Sequence, residues 1–258
     1  MTGAASFARY PSLRDAVVVV TGGASGIGAA MVEEFALQEA KVAFVDVSED
    51  CAQSLIRRLA SAQGAAAQFF PCDLTRIEDL RSTMARIEAQ CGGIRVLVNN
   101  AANDDRHRFA EVTPEYWDQR MHVNLRHHFF AIQAVAPGMA RLGGGSIINM
   151  SSISWMIPAT GLPAYVTAKA GIVGLTRTLA RELGSSNIRV NCVSPGAIMT
   201  ERQRRLWVTP EYLAEILQNQ ALKRELVPRD VARLVLFLAA DDSSAITGQN
   251  FVIDGGWV

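Results

Sequence analysis

The sequence predicts an α/β domain in which a doubly wound, seven-stranded parallel sheet carries helices on both faces. Three observations predict it. Seven short β-rich runs are apolar at nearly every position, as strands covered on both faces must be. Longer helical stretches separate them from one end of the chain to the other. The first run ends in a glycine-rich turn that opens a helix, the connection at which such sheets bind anionic ligands.

The strands are expected at Ala16–Val20, Lys41–Asp46, Ala67–Asp73, Arg95–Asn99, Ser146–Met150, Ile188–Val193 and Phe251–Asp254. Helices are expected near 27–38, 50–62, 76–91, 113–141, 163–184, 209–221 and 229–240. No composition break, linker or repeat divides this series, so residues 1–258 read as one domain.

Composition narrows the class. Hydrophobic residues make up 49% and charged residues 19%, which suits a compact protein with a filled core. The 25 basic residues balance 25 acidic ones, so no field gathers nucleic acid or anionic lipid. Arg202, Arg204 and Arg205 read as a solvated helix face. Cys51, Cys72, Cys91 and Cys192 contain no C-x-x-C pair, and Cys72 and Cys192 read as small core residues. The histidines lack metal-ligand spacing, so no metal site is expected; the adjacent His127 and His128 should point apart on a helix. Met1–Pro11 lacks the pattern of a signal peptide, and no apolar stretch nears membrane-spanning length. A soluble, reduced, cytoplasmic protein is the expectation.

In such sheets ligands bind at the carboxyl ends of the strands. Strand one runs into Thr21-Gly22-Gly23-Ala24-Ser25-Gly26-Ile27-Gly28 and then an Ala-rich helix. Gly22, Gly26 and Gly28 permit a tight turn, and the N–H groups around Ser25–Gly28 would face a pyrophosphate at a helix N-terminus. The spacing is G-x-x-x-G-x-G rather than G-x-G-x-x-G. Strand two ends at Asp46, an acid that can accept from adenosine ribose hydroxyls and would repel a 2′-phosphate, so NAD is expected over NADP. A merely solvated acid is the alternative. The third strand end supplies Asp73 and Leu74, with Asp73 a candidate for the adenine edge. The fourth supplies Asn100, Ala101 and Ala102, small enough to leave room for a ribose.

Strand five ends at Ser151-Ser152. Thirteen residues beyond Ser152 stands Tyr165, and four further on Lys169. That last separation puts phenol and ammonium on one helical face, where the cation favours phenolate and suits Tyr165 to general-base work. A serine hydroxyl at the strand end can hold the same substrate oxygen. Alternation along the extended strand end favours Ser152 over Ser151. Asn124, in a polar run of an otherwise apolar segment, can break the local ladder and hold a water that links Lys169 to solvent.

Thr21–Gly28, Asn99–Ala102, Asn124, Ser152, Tyr165-Val166-Thr167-Ala168-Lys169, Pro195-Gly196 and the closing Ile253-Asp254-Gly255-Gly256 together resemble the short-chain dehydrogenase/reductase family, in order and over the whole chain. The resemblance implies a single Rossmann-like domain and a proton relay through Ser152, Tyr165, Lys169 and Asn124. It also implies that Lys169 holds the nicotinamide ribose, that Pro195, Gly196 and Ile198 border the nicotinamide, and that Thr200 contacts its carboxamide. A homotetramer is implied too, and the small residues Ala168, Gly171 and Gly174 with the apolar last strand suggest self-association. Ala102 departs from the family's usual glycine and narrows the space there.

The family covers many substrates. Here a polar run, Asn103-Asp104-Asp105-Arg106-His107, follows the fourth strand, Ser154 and Trp155 follow the fifth, and Gln203 and Trp207 lie beyond Pro195-Gly196. Many donors and acceptors beside an aromatic face suit a polyhydroxylated ligand. With Asn124–His127 and Ala134–Met139, these segments resemble the family's bacterial sugar 1-dehydrogenases, which oxidise D-xylose, L-arabinose, L-fucose, D-galactose or related aldoses to the lactone. That likeness implies NAD-dependent oxidation of a cyclic aldose at C1, with Asn103, Ser152, Ser154, Trp155, Tyr165, Gln203 and Trp207 as substrate contacts. Trp207 anchoring a lid helix and Asp104–His107 forming a surface ion-pair cluster are the competing readings. A carbonyl or oxoacyl-type reductase would use the same catalytic residues, whereas a non-catalytic nucleotide sensor would lack them.

Overall fold

A computed structural model describes residues 7–61 and 66–258. Most of Met1–Pro11, and the expected end of the second helix at residue 62, lie outside the described residues. The strands are β1 (Val17–Thr21), β2 (Lys41–Asp46), β3 (Ala67–Pro71), β4 (Ile94–Asn99), β5 (Gly145–Met150), β6 (Ile188–Pro195) and β7 (Asn250–Ile253). They form one parallel sheet in the order β3-β2-β1-β4-β5-β6-β7. Strand order reverses beside β1, which pairs with β2 on one side and β4 on the other.

Period-two alternation sorts each strand between two cores. Val18, Val20, Val42, Phe44, Val96, Val98, Ile148 and Met150 face one; Val17, Val19, Ala43, Val45, Leu97 and Ile147 face the other. Helices α1 (Gly26–Leu37), α2 (Glu49–Ser61) and α9 (Pro228–Ala239) cover the first core. Helices α3 (Ile77–Cys91), α5 (His127–Arg141) and α6 (Pro163–Leu183) cover the second. Because neither face is wetted, the central strands are apolar at most positions, and the polar side chains they carry, such as Ser146, Asn99 and Asn149, are buried and hydrogen-bonded.

Three departures from the sequence expectation matter for the site. The stretch expected as one helix over 113–141 is α4 (Pro114–Met121), a π-helical turn over His122–Arg126, and then α5. Thr113 caps α4 by accepting from the Tyr116 N–H at 3.2 Å. A short helix outside the expected helical stretches, α7 (Glu201–Leu206), carries the Arg202, Arg204 and Arg205 face and precedes α8 (Pro210–Asn219), and Thr200 caps it by accepting from Gln203 N–H. Finally, His127 and His128 do not point apart. Both are fully buried and their rings lie 4.4 Å apart at the start of α5, because adjacent side chains on a helix can still turn their rings into contact when both are packed inside.

The cysteines at 72 and 192 are buried as expected, and all four thiols are free. Among the described residues no helix is long and apolar enough to cross a membrane. Ala168 faces the interior rather than the surface, while Gly171 and Gly174 are exposed.

Candidate active site

The carboxyl ends of β1, β4, β5 and β6 open onto one cleft of about 260 Å³, at the small end of ligand pockets. Its polar lining is Asn100, Asp104, Arg106, Ser151, Ser152, Ser154, Tyr165, Lys169, Thr200 and Gln203. Apolar groups including Ile157, Leu162, Val208, Ile216 and Trp257 complete it. A second cleft, lined by Ser25, Gly26, Glu33, Ser54, Arg58 and Arg204 among others, shares Met199 and Thr200 with the first.

The turn after β1 is built for a close backbone approach. Gly22 takes φ +64°, and a Cβ on Gly28 would stand 2.0 Å from the Gly22 carbonyl oxygen. Asn100 locks the turn to β4: its N–H donates to Thr21 Oγ1 at 2.9 Å and its amide to the Thr21 and Gly22 carbonyls at 3.0 Å. Asp46 accepts from Ala24 N–H and from Ser48 N–H, both at 3.0 Å, so it braces the turn with two of its roughly four acceptor positions. The glycine cradle, the braced acid and the helix N-terminus fit a nicotinamide dinucleotide.

The other expected cofactor contacts divide. Ile27, Asn100, Ala102, Pro195, Gly196, Ile198 and Thr200 line the first cleft. Ala101 packs against Gly22, and Ala102 needs no positive φ, so the departure from glycine introduces no backbone strain. Asp73 is exposed with Oδ1 accepting from Thr75 N–H and Oγ–H, and the Leu74 side chain is buried.

Ser152, Tyr165 and Lys169 converge on the first cleft. The Ser152 hydroxyl accepts from Ser154 N–H at 3.1 Å and lines the cleft beside the Tyr165 phenol. The Ser151 hydroxyl instead donates to the Lys169 carbonyl at 2.7 Å, inside the fold. Lys169 is 1% exposed, donates from Nζ to the Met150 carbonyl at 2.8 Å, and sits 5.4 Å from the Tyr165 ring centroid. Burial brings its ammonium down to about 8, against smaller upward pulls from Cys192 and Asp104. Tyr165 departs from expectation. Burial and then the Asp104 charge hold its phenol above the ordinary value, with the Ser152 hydroxyl and the Arg106 charge pulling down.

Asn124 is fully buried within the π turn. It exchanges two hydrogen bonds with the Asn103 main chain, accepting from Asn103 N–H at 2.8 Å and donating to its carbonyl at 3.1 Å. Asn103 is thus a structural partner, its own side chain accepting from Asp105 N–H. Trp155 packs on Ile172, Val173 and Cys192, and Trp207 lies under the Arg106 guanidinium at 5.3 Å; neither lines the cleft. Of the expected substrate contacts, Ser152, Ser154, Tyr165 and Gln203 do line it. Gln203 and Arg202 donate to Asp104, and Arg202 also to Asp105. The ion-pair reading of that loop therefore holds for these two acids. Asp104, Arg106, Tyr212 and Trp257 are lining residues that sequence reasoning did not single out as contacts; only the polarity of the 103–107 run pointed toward two of them.

A family model described as enoyl-(acyl carrier protein) reductase matches residues 22–258. A probable galactose dehydrogenase of Rhizobium meliloti (strain 1021) is 53% identical over 248 residues, covering 96% of this chain and 97% of that protein. D-xylose 1-dehydrogenase of Caulobacter vibrioides (strain NA1000 / CB15N) is 51% identical over 252 residues, covering 98% and 99%. A 7α-hydroxysteroid dehydrogenase solved with NADH and 7-oxo glycochenodeoxycholic acid superposes with TM-score 0.90 at 30% identity, covering 96% of each chain.

Proposed function

The chain belongs to the short-chain dehydrogenase/reductase family, and on that footing we propose that this oxidoreductase oxidises a cyclic aldose at C1 to the lactone, with NAD as acceptor. One observation carries the reading. The Ser152–Tyr165–Lys169 group shares its cleft with Asp104, Arg106, Ser154 and Gln203, which offer a hydroxyl-rich ring both donors and acceptors. The 53% and 51% identities to a probable galactose dehydrogenase and a xylose 1-dehydrogenase, over nearly full length, support it.

In this reading Ser152 holds the C1 oxygen and Tyr165 takes the C1 hydroxyl proton. The bound nicotinamide supplies the acceptor for the C1 hydrogen and its electron pair. Lys169 holds the nicotinamide ribose and passes the proton on, toward a water held at the π turn by Asn124. Gly22 to Gly28 cradle the pyrophosphate, Pro195, Gly196 and Ile198 border the nicotinamide, and Thr200 meets the carboxamide. Asp46 favours an unphosphorylated ribose, hence NAD. The exposed, free Cys51 thiol suits a reducing compartment, and the cytoplasm is the location assigned.

A keto-acyl reductase is the second reading, favoured by the description of the matching family model and by the apolar part of the cleft. Absorbance at 340 nm decides between them. NAD should be reduced with at least one pentose, hexose or deoxyhexose, at a kcat/KM at least about tenfold above that with NADP. No reduction with any aldose, alongside turnover of a ketone or acyl thioester, would reverse the assignment.

A further inference from the structure

Asp104 is the one acid among the described residues lining the catalytic cleft. Its side chain is only 21% exposed, a setting in which a carboxylate needs donors to remain charged. The protein provides one to each oxygen: Arg202 Nε to Oδ1 at 3.2 Å and Gln203 Nε2 to Oδ2 at 2.5 Å. A carboxylate offers about four acceptor positions, so two are left. Asp104 lines the same cleft as Ser152 and Tyr165, which places the carboxylate where it can meet a ligand held by those two residues. Arg202 and Gln203 belong to α7, so both oxygens are fixed from one side.

We propose that Asp104 is the specificity-determining residue, selecting neutral hydroxyl-rich substrates over anionic ones by accepting hydrogen bonds from ligand hydroxyls. The inference rests on the aldose reading and names the recognition element within it. A sugar brings O–H donors to the remaining lone pairs. A ligand with its own carboxylate at that position meets like charge, and one without hydroxyls leaves the carboxylate desolvated and unanswered. Arg106, Lys169 and Arg202 are the cations around it. Arg202 and Gln203 already bond Asp104, and Lys169 is buried against a carbonyl, which leaves the acid's second lone pairs to the ligand.

The test measures kcat/KM with NAD for the best aldohexose, its monodeoxy analogues and its uronic acid, in the parent, D104N and R202Q. The parent should prefer the aldose over the uronic acid by about a hundredfold or more and discriminate against at least one deoxy analogue. In D104N the preference for the aldose over the uronic acid should collapse by about a hundredfold, and that deoxy analogue should become as good as the aldose. R202Q breaks the same contact to α7 but keeps the carboxylate, so both ratios should persist whatever its absolute rate. If D104N scales all three substrates by one factor, as a structural role requires, the inference is overturned. If the parent oxidises no aldose, it is the aldose reading that falls, an outcome visible before any variant is made.

Discussion

Lys169 is the residue whose position costs the fold most directly. Burial moves its ammonium from 10.5 to about 8, which at neutral pH destabilises the folded state by on the order of 3 kcal/mol. The sign follows from proton counts. Below pH 8 the lysine is charged in both states and the burial cost is full. Between pH 8 and 10.5 the unfolded chain holds more protons, so stability rises with pH, and above that range the cost is gone. Lys169→Met should therefore unfold at higher urea than the parent below pH 8, with the gap shrinking toward pH 10.5; a gap independent of pH would contradict this. At this scale the sequence was informative where spacing alone decides. Four residues put Tyr165 and Lys169 on one face, and strand alternation separated Ser152 from Ser151. It was uninformative about Tyr212 and Trp257, whose place in the cleft depends on segments packed in from distant elements.

Among the elements, the π turn over His122–Arg126 ties α4 and α5 to the loop after β4 through the paired bonds of Asn124 with the Asn103 main chain. Asn124→Ala leaves both Asn103 groups without their partner. The expected loss is about 1–2 kcal/mol, or a melting temperature lower by about 2–6 °C, read by calorimetry. An unchanged melt would mean that the pair holds nothing. The turn was legible only as a polar break in an apolar helix, since one extra residue per turn leaves too little trace in a periodicity. Just beyond the turn the His127 and His128 rings meet, and burial holds His127 down at about 3 and His128 well below its ordinary value, both neutral. Helix α7, six residues long, is too short to show a period at all.

For the whole molecule, layer order and strand positions were legible because a sheet covered on both faces makes its central strands apolar at nearly every position, and each strand end then marks a ligand-facing position. Assembly of copies is a separate matter. Exposed Gly171 and Gly174 on α6 and the edge strand β7, with Val252 39% exposed, leave surface for self-association, and we propose a homotetramer. Light scattering on the purified protein should give about four times 27.9 kDa; a monomer mass at micromolar concentration would reject that assembly. Sheet order also bears on synthesis. The central strand β1 emerges early, yet its neighbour β4 and the Asn100 bonds that lock its turn lie 79 residues further along. While the chain is still on the ribosome and shorter than about a hundred residues, β1 has an open edge and only half of its dinucleotide cradle. The nascent chain must keep a bare apolar edge from pairing wrongly until β4 arrives to close it.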